Sequence, residues 1–186
     1  MVRKKRAADL KEWQDRIAVR FLVKEEIQRL DKLGMWQYYY PELAATEKQL
    51  AAAEAHLGHR IDKSYRDFLL CANGWKWFIH TVNLFGTGDL IGSSLMGYAL
   101  EMLDVMDDAF PISESSGFSK EELLPIAATF EDREIHVITR ATSCQPGVVI
   151  WFSGQEIERY PNFEEYYLTM TDYNRLEIDW LKNAKQ

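Results

Sequence analysis

The sequence predicts an α+β fold, with helices packed on a mostly antiparallel β-sheet and one added helix at the amino terminus. Three observations carry this. Apolar residues recur at helical spacing in an amino-terminal segment, on both sides of Gly58, and again around residue 100. Three β-rich runs then follow one another, Ile135 to Thr139, Val148 to Phe152 and Gln155 to Tyr160, separated by connections short enough only for antiparallel neighbours. After them Asn162 stands as a cap in front of a helix-forming run that begins at Phe163.

The first helix is predicted over Ala7 to Leu33. Leu10, Trp13, Ile17, Val23, Ile27, Leu30 and Leu33 keep helical spacing with one gap, and Gly34 supplies the stop. Its basic residues interleave with acids, so most are read as a solvated face. The helix is either an extension packed on the remaining chain or a dimerisation arm. The aromatic run Met35-Trp36-Gln37-Tyr38-Tyr39-Tyr40-Pro41 follows as a linker, buried between elements or offered to a partner. Residues 1–45 thus form a helical extension with its linker, and residues 46–186 the α+β domain.

Within that domain, one helix ends at Leu57-Gly58 and a second, capped by Asp62 or Ser64, carries Tyr65, Phe68, Leu69 and Ala72 at i, i+3, i+4 and i+7. That stripe is expected to pack on a sheet containing Val148 to Phe152. A turn at Asn73-Gly74-Trp75 leads into a strand from Trp77 to Phe85, closed by a turn at Gly86 to Asp89. A further helix is predicted from Ser94 to Asp108, with Leu95, Ala99, Met102 and Met106 on one face and Glu101, Asp104 and Asp108 on another. Asp104, Asp107 and Asp108 crowd its last turn, the end of the helix dipole that favours cations. Either the acids serve something other than stability, or the helix ends sooner and Asp107 or Asp108 caps the next turn. Ser113 to Lys120 reads as a polar loop, and Pro146-Gly147 as a type II turn pair.

The order Leu57-Gly58, Tyr65-Arg66, Phe68-Leu69, Asn73-Gly74 resembles the SUKH superfamily, the Smi/Knr-like fold. The later Leu84-Phe85-Gly86, a strand around Ile135 and a helix from Phe163 to Leu168 also match its pattern, so the likeness covers Thr46 to Leu168. Ile61-Asp62 stands where members usually carry Leu-Pro. The resemblance implies a non-enzymatic binding protein. Many bacterial members are immunity proteins that neutralise a cognate polymorphic toxin, often a nuclease, while fungal relatives are regulators linked to cell-wall synthesis.

Composition supports the first role. The chain of 186 residues has a net charge of −7. Residues 1–30 hold nine Lys/Arg against five Asp/Glu, and the remaining 156 hold thirteen against twenty-four, so the body is acidic. Such a surface repels nucleic acid and attracts a basic protein, the expected partner being a basic toxin. The plainer reading is that acidity keeps the protein soluble. Candidate partner-binding residues are Asp104, Asp107, Asp108, Glu131 and Asp132, with Trp75, Trp77 and Phe78 as candidate aromatic anchors, for which burial is the plainer reading.

Other chemistry finds little support. His56 and His59 are three apart but straddle a helix end, with no third zinc ligand following. Glu131-Asp132-Arg133-Glu134 reads as a solvated loop rather than an acid/base pair. Gly86 and Gly88 lack the third glycine of a dinucleotide fingerprint, position 91 being Ile91. There is no G-x-S-x-G elbow, P-loop or C-x-x-C, so no cofactor and no metal are expected. Cys71 and Cys144 are few and distant, as in a reducing compartment. The basic start MVRKKRAADL lacks an apolar stretch behind it, which argues against a signal peptide, and no apolar run is long enough for a membrane span. These points suggest a cytoplasmic protein. The terminal Arg3-Lys4-Lys5-Arg6 run is only weak evidence for a phosphate or anionic-lipid contact.

Overall fold

The computed structural model describes residues 2–183. Its elements are α1 (Val2–Leu30), α2 (Glu47–Leu57), α3 (Lys63–Leu69), β1 (Trp75–Ile79), β2 (Val82–Leu84), α4 (Thr87–Leu90), α5 (Ser94–Ala109), α6 (Ile112–Ser116), β3 (Leu123–Ala128), β4 (Glu134–Thr139), β5 (Val149–Ser153), β6 (Glu156–Tyr160) and α7 (Phe163–Asn183). The six strands form one sheet in the order β1-β2-β3-β4-β5-β6, every pair antiparallel. This is an α+β fold with an amino-terminal helix. The middle strand β4 is buried on both faces because helices cover both. On one face His136 and its neighbour Trp151 meet Tyr166 and Tyr173 of α7. On the other, α5 packs on β3.

The residues that carry the family resemblance turn out to be its structural joints. Thr46 and Gln49 close a capping box on α2, and Gly58 ends that helix at φ 71°. Asp62 caps α3, and Tyr65, Phe68, Leu69 and Ala72 are all fully buried. The Tyr65 hydroxyl donates to the carbonyl of Phe85 at 2.7 Å, and Asn73 Oδ1 accepts the amide of Thr87 at 2.8 Å. Gly74 sits at φ 96°, and a Cβ there would lie 2.7 Å from the Gly86 nitrogen. A Cβ on Gly86 would lie 2.1 Å from the Asn73 carbonyl oxygen. Two backbones therefore touch at a point where only glycines fit. Arg66 bridges back to Glu47 and Glu54 of α2.

Several elements differ from the sequence expectation. The predicted strand from Trp77 to Phe85 is a hairpin, β1 and β2, with Ile79 paired to Val82 across a His80-Thr81 loop. That loop contains no glycine, asparagine or aspartate to announce it, and His80 takes the left-handed φ of 46° itself. Strand β3 has no counterpart in the prediction. It is buried at every position, so it shows no alternation, and Pro125 sits beside a break in its register with β4. The turn at Gly86 to Asp89 is the short helix α4. The polar loop from Ser113 opens as α6, because Ile112 is buried and its amide donates to Asp107 Oδ1 at 2.8 Å. The last helix extends from Phe163 to Asn183, well past Leu168.

The amino-terminal helix stops at Leu30. Leu33 is 85 % exposed, and Asp31 accepts the amide of Trp36 to turn the chain. The helix lies alongside α7 in the same direction: Trp13 contacts Phe163 and Tyr167, Arg20 reaches Thr171, and Ile27 and Leu30 meet Leu181. One apolar seam of the helix is thus occupied within the chain, against α7. Phe68 packs edge-on to Trp13 and against Phe163 and Tyr167, so α1 and α7 supply its aromatic neighbours. The aromatic linker is mixed, with Trp36 and Tyr38 packed on Ile27 and Leu30 and Tyr40 largely exposed.

Candidate functional site

The acidic residues singled out in the sequence gather on the outer side of α5. Ser93 caps this helix by accepting the amide of Met96, and Leu95, Met96, Ala99 and Leu103 face inward. That fixes Glu101, Asp104, Val105 and Asp108 outward, all exposed. The β3–β4 loop is tied against the same helix. The Tyr98 hydroxyl donates to the Asp132 carbonyl at 3.2 Å, and the Tyr98 ring lies 5.4 Å from that of Phe130. Glu131 and Asp132 therefore join the α5 acids, a neighbourhood that sequence separation alone does not reveal.

These carboxylates are not equivalent. Asp104 accepts from the Lys120 ammonium at 2.7 Å, and this bond raises the Lys120 pKa. Asp107 is only partly exposed and serves the chain itself, capping α6 through Ile112. Neither reading of the α5 end holds whole: the helix does not end sooner but runs through Asp108 to Ala109, yet Asp107 does cap the next turn. Among the described residues, Glu101 and Asp108 have no hydrogen-bond or ion-pair partner on their side chains. Asp132 Oδ1 accepts only the neighbouring Arg133 amide at 2.6 Å, and Glu131 is exposed. Next to the acids lies a groove of about 300 Å³ lined by Met102, Val105, Met106, Phe110, Phe152 and Arg133, with Val105 and Phe110 each more than half exposed.

The aromatic candidates separate from this face. Trp75 is 1 % exposed with its indole N–H donating to the Tyr39 carbonyl at 2.8 Å, and Phe78 is fully buried. Both are core residues and present no ring to a partner. Trp77 is half-buried and sits in a bulge of β1 at φ 51°, a conformation that costs a bulky residue about 1–3 kcal/mol. It is held there from two sides: its amide donates to Asn83 Oδ1 at 2.9 Å, and its carbonyl accepts from Lys24 Nζ at 2.8 Å.

That last contact exposes a correction to the reading of α1. Arg20 and Lys24 are not part of a solvated face. Arg20 is fully buried, its guanidinium 3.6 Å above the Phe78 ring, bonded to Thr171 Oγ1 at 2.9 Å and to the Phe78 carbonyl. Burial lowers its pKa to about 10. Lys24 is 7 % exposed, and burial together with the charge of Arg20 lowers its pKa to about 7. The signal was present in the spacing: positions 13, 17, 20, 24 and 27 form an unbroken seam, and the two cations fill the gap in the apolar pattern. His136 is buried as well, with its Nδ1 2.7 Å from the Tyr166 hydroxyl and its pKa pushed down to about 3 by burial. Among the described residues no group of three His, Cys, Asp or Glu is placed to hold a metal ion, and no helix is long and apolar enough to cross a membrane. Of the terminal basic run, the side chains of Arg3, Lys4 and Lys5 lie outside the described residues, while Arg6 pairs with Glu47.

The family model described as SMI1 / KNR4 family (SUKH-1) matches residues 44–169. The chain belongs to this family. The matched SUKH-1 span begins just before α2 and ends within α7, so it contains the whole sheet, the glycine joint and α5. Helix α1 and the end of α7 lie outside it and pack against each other. No curated protein matches the chain.

Proposed function

We propose that this SUKH-1 protein is a non-enzymatic binding protein of the immunity type, which neutralises a basic protein toxin in the cytoplasm by direct contact through the outer face of α5. The observation that carries the reading is the set of uncommitted carboxylates on that face. Glu101, Asp108, Glu131 and Asp132 are exposed, and among the described residues none is neutralised by an ion pair. Uncompensated charge of one sign on one face speeds encounter with an oppositely charged partner, while the adjoining apolar groove supplies area that can be desolvated on contact. Val105 and Phe110 replace Trp75 and Phe78 as the apolar anchors.

The test starts from the protein as bait in its native cells, with the wild type compared against Glu101→Gln/Asp108→Asn/Asp132→Asn. The captured partner is then purified and its association followed by surface plasmon resonance at low and high salt. The triple variant is expected to associate more slowly with a flatter salt dependence, and to protect less well against the partner's toxicity when the two are co-expressed. An unchanged on-rate with an unchanged salt slope would exclude the α5 face. A captured partner without toxicity would move the protein to the regulatory branch of the family.

A further inference from the structure

A second site lies on the opposite face of the sheet and is independent of the α5 reading. Helix α7 continues beyond residue 169, where the family match ends, and leaves a groove of about 570 Å³ against the sheet. Its walls are aromatic: Trp151 from β5, and Tyr173 and Trp180 from α7. Trp180 and Leu176 remain 57 % and 61 % exposed at its edge, large apolar side chains left in water.

Two carboxylates face this groove, and they differ in what already holds them. Glu177 is committed, lying 3.3 Å from His80 Nε2 and accepting from the Asn174 amide at 2.8 Å. Glu158 is oriented but not neutralised. Two phenols, Tyr160 at 2.7 Å and Tyr173 at 2.6 Å, both donate to its Oε2. Among the described residues Oε1 has no partner and no cation pairs with Glu158. Phenol donors fix the carboxylate in one rotamer without cancelling its charge. The indole N–H of Trp151 is also buried and finds no acceptor among the described residues.

An anionic oxygen held rigidly in a groove walled by two indoles and a phenol attracts a cation with apolar bulk. Aromatic faces stabilise diffuse positive charge, and the apolar walls favour a ligand that carries hydrocarbon with it. A hard metal ion is a poor match, since it needs several oxygen ligands and here Glu177 is engaged by His80 and Asn174 and one Glu158 oxygen by two phenols. We propose that the groove between α7 and β5–β6 binds an organic cation, an alkylammonium or guanidinium group, with its charge at Glu158 Oε1 and its bulk against Trp151, Tyr173 and Trp180. The cation is either a free small molecule or the side chain of a lysine or arginine on another protein.

Isothermal titration calorimetry with choline, butylguanidinium and the uncharged tert-butyl isostere of choline tests this directly, with the Trp151 indole N–H resonance followed by NMR. The cations are expected to bind and to shift that resonance, and the neutral isostere to do neither. Glu158→Gln and Trp180→Ala should each weaken cation binding by about ten-fold. Trp180 is mostly exposed, so its replacement keeps the fold even where Glu158→Gln disturbs the tyrosines. Gly-Arg-Gly and Gly-Lys-Gly peptides form the second arm: tighter binding of the peptides points to a protein side chain, and tighter binding of choline to a free ligand. Equal binding of the neutral isostere, no binding of any cation, or unaltered affinity in Trp180→Ala overturns the proposal. The α5 variants should leave these titrations unchanged, so the two sites fail or stand separately.

Discussion

The buried ammonium of Lys24 makes stability depend on pH in a direction opposite to that of a salt-bridged lysine. The unfolded chain titrates this group at its ordinary 10.5, whereas burial and the charge of Arg20 bring it to about 7 in the folded protein. Between those values the unfolded state carries a proton that the folded state has shed, so raising the pH favours folding, by about 1.4 kcal/mol per pH unit. From about pH 7.5 to about pH 9 the gain is about 2 kcal/mol. The window ends there because the half-buried Cys71 thiol, pushed up to about 11 by desolvation, begins to act in the opposite sense. His80, raised by its bond to Glu177, stabilises below its unfolded value and loses that contribution as pH climbs through its folded one. Both wild type and variant carry His80, and in the wild type the charge of Lys24 opposes that rise. Lys24→Met keeps the stem that fills the seam and removes the titrating group. Urea unfolding followed by tryptophan fluorescence at the two pH values is expected to move the wild-type midpoint up by about 1 M relative to the variant's own change. Equal pH responses in the two proteins would refute the buried, proton-shedding Lys24.

Phe68→Ala should cost about 3–5 kcal/mol in chemical denaturation, since the ring is fully buried among Trp13, Phe163 and Tyr167; a loss below about 1 kcal/mol would contradict its core position. The α5 acids should divide by role: Asp107→Ala loses the α6 cap and costs about 1 kcal/mol, whereas Asp108→Asn leaves stability unchanged or slightly raised, both read from thermal melts. Gly86→Ala should lower stability by several kcal/mol or prevent folding, measured by circular dichroism, because the methyl group would meet the Asn73 carbonyl.

The sequence made the helix pair around Gly58, the three last strands and the cap at Asn162 legible because each has its own local chemistry. Gly58 ends a helix, Pro146-Gly147 makes a turn, and Asn162 accepts the Glu165 amide at 2.9 Å. Strand β3 was hidden because burial on both faces erases alternation, and the β1–β2 hairpin because His80-Thr81 carries no turn residue. At the candidate face, the acids of α5 were readable as a helical cluster, but their union with Glu131 and Asp132 depends on the Tyr98 contact, and the role of Asp107 on a backbone amide five residues on. Trp75 and Phe78 look like anchors in sequence because aromatic residues serve cores and interfaces equally; only the packing of α1 and α7 over them decides. Arg20 and Lys24 were misread for the converse reason, since charge at a seam position resembles charge on a surface until the partner helix is in place.

The parallel pairing of α1 with α7 sets an order on how the protein is made. As the chain leaves the ribosome, α1 emerges before the sheet and its partner after it. Throughout that interval the seam of Trp13, Ile17 and Ile27 has only Phe68 of α3 and the Trp36 and Tyr38 rings of the linker to lie against, and an unbroken apolar stripe left so thinly covered would invite other nascent chains. Arg20 and Lys24 interrupt the stripe at its centre. While the helix waits they are hydrated cations that keep it solvated; once α7 arrives, their charge is what the closing step must desolvate. The same two residues that weigh on the finished fold at neutral pH thus protect it before it is complete.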